Sequence, residues 1–174
     1  RVMGDLDLCV ADADLPRALA VTRDVREALA REDPDRRRAG GLHVEIDCPA
    51  HHDLDPSRYG GGRWLARSLD WAGMWRRART VGVAGRQVLV PAPDDLIATL
   101  VANAVRRGFS PVRTTVDLAH AVQCHAGELD WGQLEAELGR TGLDRRAWVA
   151  FGLVAEWCLV EVPALLLEPP AGLC

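Results

Sequence analysis

Apolar and polar residues alternate along residues 1–10 and again along 42–48, while over most of the rest of the chain the apolar positions recur every three or four. In residues 1–10, Leu6, Leu8 and Val10 fall on one side and Asp5, Asp7 and Cys9 on the other, which is the period of a strand. Residues 15–31 have helical spacing: Leu15, Leu19, Thr22, Val25 and Leu29 trace one face. Asp14 is placed to cap this helix, and Pro16 fits its first turn, where no amide hydrogen is needed. A charged, breaker-rich stretch at 31–41 leads to a second strand at 42–48, with Val44, Ile46 and Cys48 opposing His43, Glu45 and Asp47.

A glycine-rich run at 59–62 precedes a short helix predicted over 68–78, and 80–90 reads as a hairpin turning near Gly85. From residue 91 the pattern is helical throughout. Leu96, Ile97, Leu100, Val101, Ala104 and Val105 form a stripe that stops at Gly108. Further helices are expected over 112–123, from Asp130 onward with Gln133 as its capping-box partner, and over 145–159 with a stripe of Trp148, Phe151, Ala155 and Cys158. The expected class is α+β: a small mixed β-sheet core with a flanking helix in 1–90, then a C-terminal helical bundle in 91–174.

Composition narrows the chemistry. With 48% hydrophobic and 26% charged residues, the 174-residue chain has the balance of a folded, water-soluble protein rather than a disordered one. A net charge of -4 argues against an extensive nucleic-acid surface, and no apolar run is long enough to predict a membrane span. All 21 basic residues are arginine, which excludes a Schiff-base lysine and the lysine of a phosphate-binding loop. Five scattered cysteines without a C-x-x-C pair predict reduced thiols and a cytoplasmic location. The chain opens on a strand without an initiator Met, so residues upstream of Arg1 are expected.

The candidate chemistry lies on the two strands. Aspartate disfavours strands, yet Asp5 and Asp7 occupy alternate positions of the first, and so share a face. Glu45 and Asp47 repeat the arrangement on the second. If the strands are neighbours, three or four carboxylates converge, and their mutual repulsion calls for a positive partner. Mg²⁺ or Mn²⁺ suits such hard oxygen ligands, and could organise a triphosphate for in-line displacement. Gly4 would allow close approach of a phosphate, and Arg1 is a second candidate for nucleotide contact. Acidic residues on a solvated strand face are the competing explanation.

Other polar clusters carry plainer readings. His43 lies on the acidic face, where a hydrogen bond to a neighbour is its ordinary role. Cys48, His51 and His52 could begin a zinc site but have no second ligand pair at a recognisable spacing. His120, Cys124 and His125 invite the same thought, although a helical stripe accounts for Cys124. Residues 60–62 read as a flexible connection, and Arg76, Arg77 and Arg79 as a solvated helix face or a basic lip for triphosphate or RNA.

The runs R-V-M-G-D-L-D-L-C-V and H-V-E-I-D-C, followed by WRRA at 75–78, VGVAG at 81–85, PDDL at 93–96 and RTTVDLA at 113–119, resemble the uncharacterised nucleotidyltransferase family of the polymerase-beta-like superfamily. The resemblance implies a nucleotidyltransferase core and metal-dependent transfer of a nucleoside monophosphate from an NTP to an acceptor that is a small molecule, RNA or protein. It matches Asp5 and Asp7 to the paired metal aspartates and Glu45 to the third carboxylate. The family's glycine-rich turn would fall upstream of Arg1, and Asp47 stands where members carry a histidine. A noncatalytic nucleotide-binding, regulatory or partner-binding protein on the same fold is the alternative.

Overall fold

The computed structural model describes residues 5–32, 43–47, 69–106, 108–109 and 112–170; in the first two strands it describes the backbone alone, apart from the side chain of Leu8. The chain divides into two compact units, Arg1–Asp55 and Pro56–Cys174.

In the first unit, β1 (Asp5–Cys9) and β2 (His43–Asp47) pair in parallel, and α1 (Leu15–Glu32) runs between them in sequence. Parallel strands cannot be joined by a tight turn, so a crossover helix is the economical connection. Asp14 does not cap α1 as an isolated residue. It belongs to a 3₁₀ turn, Asp12–Asp14, that runs into the helix, where Asp12 and Asp14 favour the positive end of the helix dipole. The expected apolar face of α1 is also rotated. Leu15, Ala18 and Thr22 are half-buried whereas Leu19 and Val25 are exposed, and the Leu29 side chain lies outside the described residues. The small Ala18 and Thr22 suit close packing, and the Thr22 hydroxyl donates back to the Ala18 carbonyl at 2.9 Å.

Among the described residues of the second unit, the first helix is α2 (Trp71–Arg77), whose N-cap Asp70 accepts the Gly73 amide at 2.9 Å. A Cβ at position 73 would meet the Asp70 carboxylate and the Arg77 guanidinium, so any larger residue there would have to displace the capping side chain. The hairpin of β3 (Arg79–Val83) and β4 (Arg86–Val90) follows. Its two turn residues, Ala84 and Gly85, both have positive φ, 49° and 75°, as the turn that follows strand twist requires.

Among the described residues five further helices follow: α3 (Pro93–Arg106), α4 (Arg113–His125), α5 (Trp131–Thr141), α6 (Asp144–Cys158) and the single turn α7 (Ala164–Leu167). Helix α3 ends as its sequence predicts. The Phe109 amide donates to Ala104 O and the Gly108 amide to Val105 O, with Gly108 left-handed at φ 59°. At the start of α5, Asp130 accepts the Gln133 amide at 3.0 Å, which is the expected cap. The amide of Asp130 itself donates to Asp94 at the head of α3, so capping also ties two helices together.

One core joins these helices. Ile97 and Val101 of α3, Leu118 and Val122 of α4, Leu134 and Leu138 of α5, and Phe151 and Val154 of α6 are almost wholly buried. Each such side chain contributes about 1.5–3 kcal/mol of burial. On α6 the buried face is Ala147, Ala150, Phe151 and Val154, one step round from the predicted stripe, since the alanines let the neighbouring helices approach. Trp148 and Cys158 are half-buried, and the Trp148 indole donates to Leu167 O at 2.9 Å. Among the described residues, no helix is long and apolar enough to cross a membrane.

Candidate active site

The β1–β2 register sets two acid-bearing strands side by side. Asp7 pairs with Glu45, Asp5 with His43 and Cys9 with Asp47. Laterally paired residues of adjacent strands lie on the same face, about 4.8 Å apart. Positions 5, 7, 43, 45 and 47 therefore share one side of a narrow ribbon. The side chains of Asp5, Asp7 and Glu45 lie outside the described residues, as do Arg1 and Gly4 altogether. The same holds for Cys48, His51, His52 and the glycine run at 60–62. Among the described residues, no group of three or more His, Cys, Asp or Glu could hold a metal ion.

The second unit places other charged residues of the sequence in firm pairings. Arg77 grips Asp95 with two parallel hydrogen bonds, Nε to Oδ2 at 3.0 Å and Nη2 to Oδ1 at 2.6 Å. Asp95 is buried, and the paired guanidinium is held above its ordinary pKa chiefly by that hydrogen bond. Arg140 holds Glu137 in the same bidentate way, at 2.8 and 2.6 Å, and the hydrogen bond keeps the carboxyl below its usual range. Both pairs line a cleft of about 270 Å³ together with Asp94 and Gln133. Burial pushes the Asp94 carboxyl up, against the hydrogen bond from the Asp130 amide that lowers it.

Arg79 pairs with Glu128, which also faces His125 at 3.5 Å. Of the three arginines considered as a basic lip, Arg77 and Arg79 are thus engaged in ion pairs, and Arg76 reaches Asp70 at 4.0 Å. The cleft's opposite charges satisfy one another, which suits bracing of α2, α3 and α5 better than anion capture. Among the described residues no buried side-chain nitrogen or oxygen lacks a partner. Sequence reading missed the Arg77–Asp95 bridge, although both residues stand in the quoted runs, WRRA and PDDL. In the third run, RTTVDLA, Thr114, Thr115, Leu118 and Ala119 are buried. These tail motifs are packing motifs.

The family model of the uncharacterised nucleotidyltransferases matches residues 1–158. The chain belongs to that family. The match takes in both acid-bearing strands, the hairpin and the helices through α6. No curated protein and no solved structure matches the chain. Family membership thus joins β1–β2 and the helical unit as parts of one inherited design.

Proposed function

We propose that this family member is a metal-dependent nucleotidyltransferase that moves a nucleoside monophosphate from an NTP to an acceptor, with Asp5, Asp7 and Glu45 as the cation-holding carboxylates. The observation that carries the reading is the parallel register, in which Asp7 stands beside Glu45 with Asp5 two residues away on the same face. Three hard-oxygen donors on adjacent strands suit Mg²⁺ or Mn²⁺, which take a few carboxylates and complete their shells with water and phosphate. Bound there, the cation supplies charge neutralisation for the triphosphate and the leaving pyrophosphate. Asp5 and Asp7 would hold it from one strand and Glu45 from the other, and Gly4 and Arg1 would adjoin the phosphates.

The test is pyrophosphate release from each NTP by the full-length protein with Mg²⁺ or Mn²⁺, across acceptor pools of small molecules, RNA and protein. Turnover lost in Asp5→Asn and in Asp7→Asn, with folding intact, is the expected result. Retained turnover in both variants would remove the metal mechanism. Binding of NTP and metal without turnover on any acceptor would favour the noncatalytic reading.

A further inference from the structure

After α6 the sequence changes character. Residues 162–170, VPALLLEPP, are apolar apart from Glu168 and carry three prolines, which hold the backbone extended on either side of the single turn α7. This tail is fastened at two points: Leu166 is buried in the common core, and Leu167 O accepts the Trp148 indole at 2.9 Å. Leu165 stays exposed. The family match ends at residue 158, so the tail lies beyond the part that relatives share.

Together with α5 and α6 the tail walls a groove of about 500 Å³. Trp148, Leu165 and Pro169 make its apolar sides, and each wall adds one acid: Glu135 from α5, Asp144 from α6 and Glu168 from the tail. No arginine lines it. Elsewhere in the unit an arginine holds Asp95, Glu128 and Glu137, but among the described residues Glu135, Asp144 and Glu168 make no ion pair. Asp144 has a second use at the positive end of the α6 dipole, whereas Glu135, in mid-helix, and Glu168, past the end of α7, have none.

We propose that this groove docks a short basic and apolar segment of a partner protein. The acids stand on three separate elements, so the complementary cations must be spaced along a chain, with an apolar side chain between them for Trp148 and Leu165. Arginine and lysine meet both demands, because their stems lie along apolar surface while their charges reach the carboxylates. Matching of opposite charge sets the choice of partner and the rate of encounter, and the apolar contact supplies burial.

The probes are three short fluorescein-labelled peptides of equal length, alternating Arg with Leu, Glu with Leu and Arg with Ser, followed by anisotropy on the full-length protein. The Arg/Leu peptide should bind and should weaken as salt is raised, the Arg/Ser peptide should bind less tightly, and the Glu/Leu peptide should not bind. The double variant Glu135→Gln, Glu168→Gln should weaken the Arg/Leu peptide by about fivefold or more, the scale of two exposed ion pairs. Glu156→Gln removes an exposed acid of α6 outside the groove and should leave binding unchanged. Because the three glutamates are exposed, circular dichroism should show all variants folded as the parent is. Binding of the Arg/Leu peptide that is indifferent to the double variant, an equal loss in Glu156→Gln, or spermine competing as tightly as the peptide would each overturn the proposal.

Discussion

The two units of the chain spend their sequence differently. In the first, the acids fall on a two-stranded ribbon, and among its described residues none is buried; Leu8, Leu19, Val21 and Val25 are exposed. In the second, charged residues are drawn into pairs, and a continuous apolar core runs through α3, α4, α5 and α6. The contrast teaches that charge plays opposite parts along one chain. On the proposed reading the acidic positions of the ribbon would be neutralised by a bound cation, whereas Asp95 and Glu137 of the helical unit are neutralised by its own arginines.

Substitutions can break this contrast, and the largest effect belongs to the ribbon. Asp7→Asn should lower nucleotidyl transfer by more than about 100-fold, as loss of an electrostatic stabiliser does, while the melting temperature stays level or rises as like-charge crowding is relieved. A large loss of stability instead would mean that the acid is structural. In the helical unit, Phe151→Ala should cost about 3–5 kcal/mol in a denaturant melt, because the side chain is fully buried and stacks edge-on against Trp131 at a centroid distance of 6.5 Å.

The ion pairs sharpen the comparison further. Arg77→Ala should destabilise by about 3 kcal/mol, since it strands the Asp95 carboxylate in the interior. Asp95→Ala should cost less, because the Arg77 side chain is 35% exposed and can turn to water. Equal losses would show that the pair acts by packing alone. In the hairpin, Ala84→Asn should stabilise by about 1 kcal/mol, because asparagine tolerates the left-handed conformation that alanine is forced to adopt.

The smallest effect should come from Asp94. Its folded pKa is raised, so the charged form costs stability once the pH passes above the unfolded carboxylate value, and the cost is full above the raised one. Asp94→Asn keeps an acceptor for the Asp130 amide and should be at least as stable as the parent at pH 7, with the advantage fading as acid protonates Asp94. Glu137 has the opposite sign. Its folded pKa is depressed, so its contribution is present above the usual carboxylate range and is lost as pH falls through the depressed value. Thermal melts of Asp94→Asn and Glu137→Gln across pH 3–7 would reveal a reversed assignment as a crossed trend.

Much of the fold was legible because period and punctuation agree. The stripe of α3 ends at Gly108 because only a left-handed residue closes the helix there, and the hairpin turns where Gly85 permits it. Helix faces were read less well. The half-buried side of α1 and the buried side of α6 carry small alanine and threonine residues that allow close approach, which a count of large apolar residues overlooks. The single turn α7 is too short to show a period. In the candidate site, alternation alone put Asp5 and Asp7 on a common face, but the pairing of Asp7 with Glu45 depends on strands joined through a long crossover. The Arg77–Asp95 bridge was illegible for a related reason: its partners are separated by a whole hairpin.

The parallel pairing of β1 with β2 also fixes an order in time. An antiparallel hairpin could bring two acidic strands together within microseconds, but for Asp5 to meet His43 the long intervening segment that carries α1 must close on itself. Contacts so distant in sequence carry a loop-closure cost and form late. The helical unit, built largely from neighbouring helices, can assemble from local contacts first. If these strands hold a divalent ion as proposed, affinity for it would arise only once the segment from Asp5 to Asp47 had closed on itself.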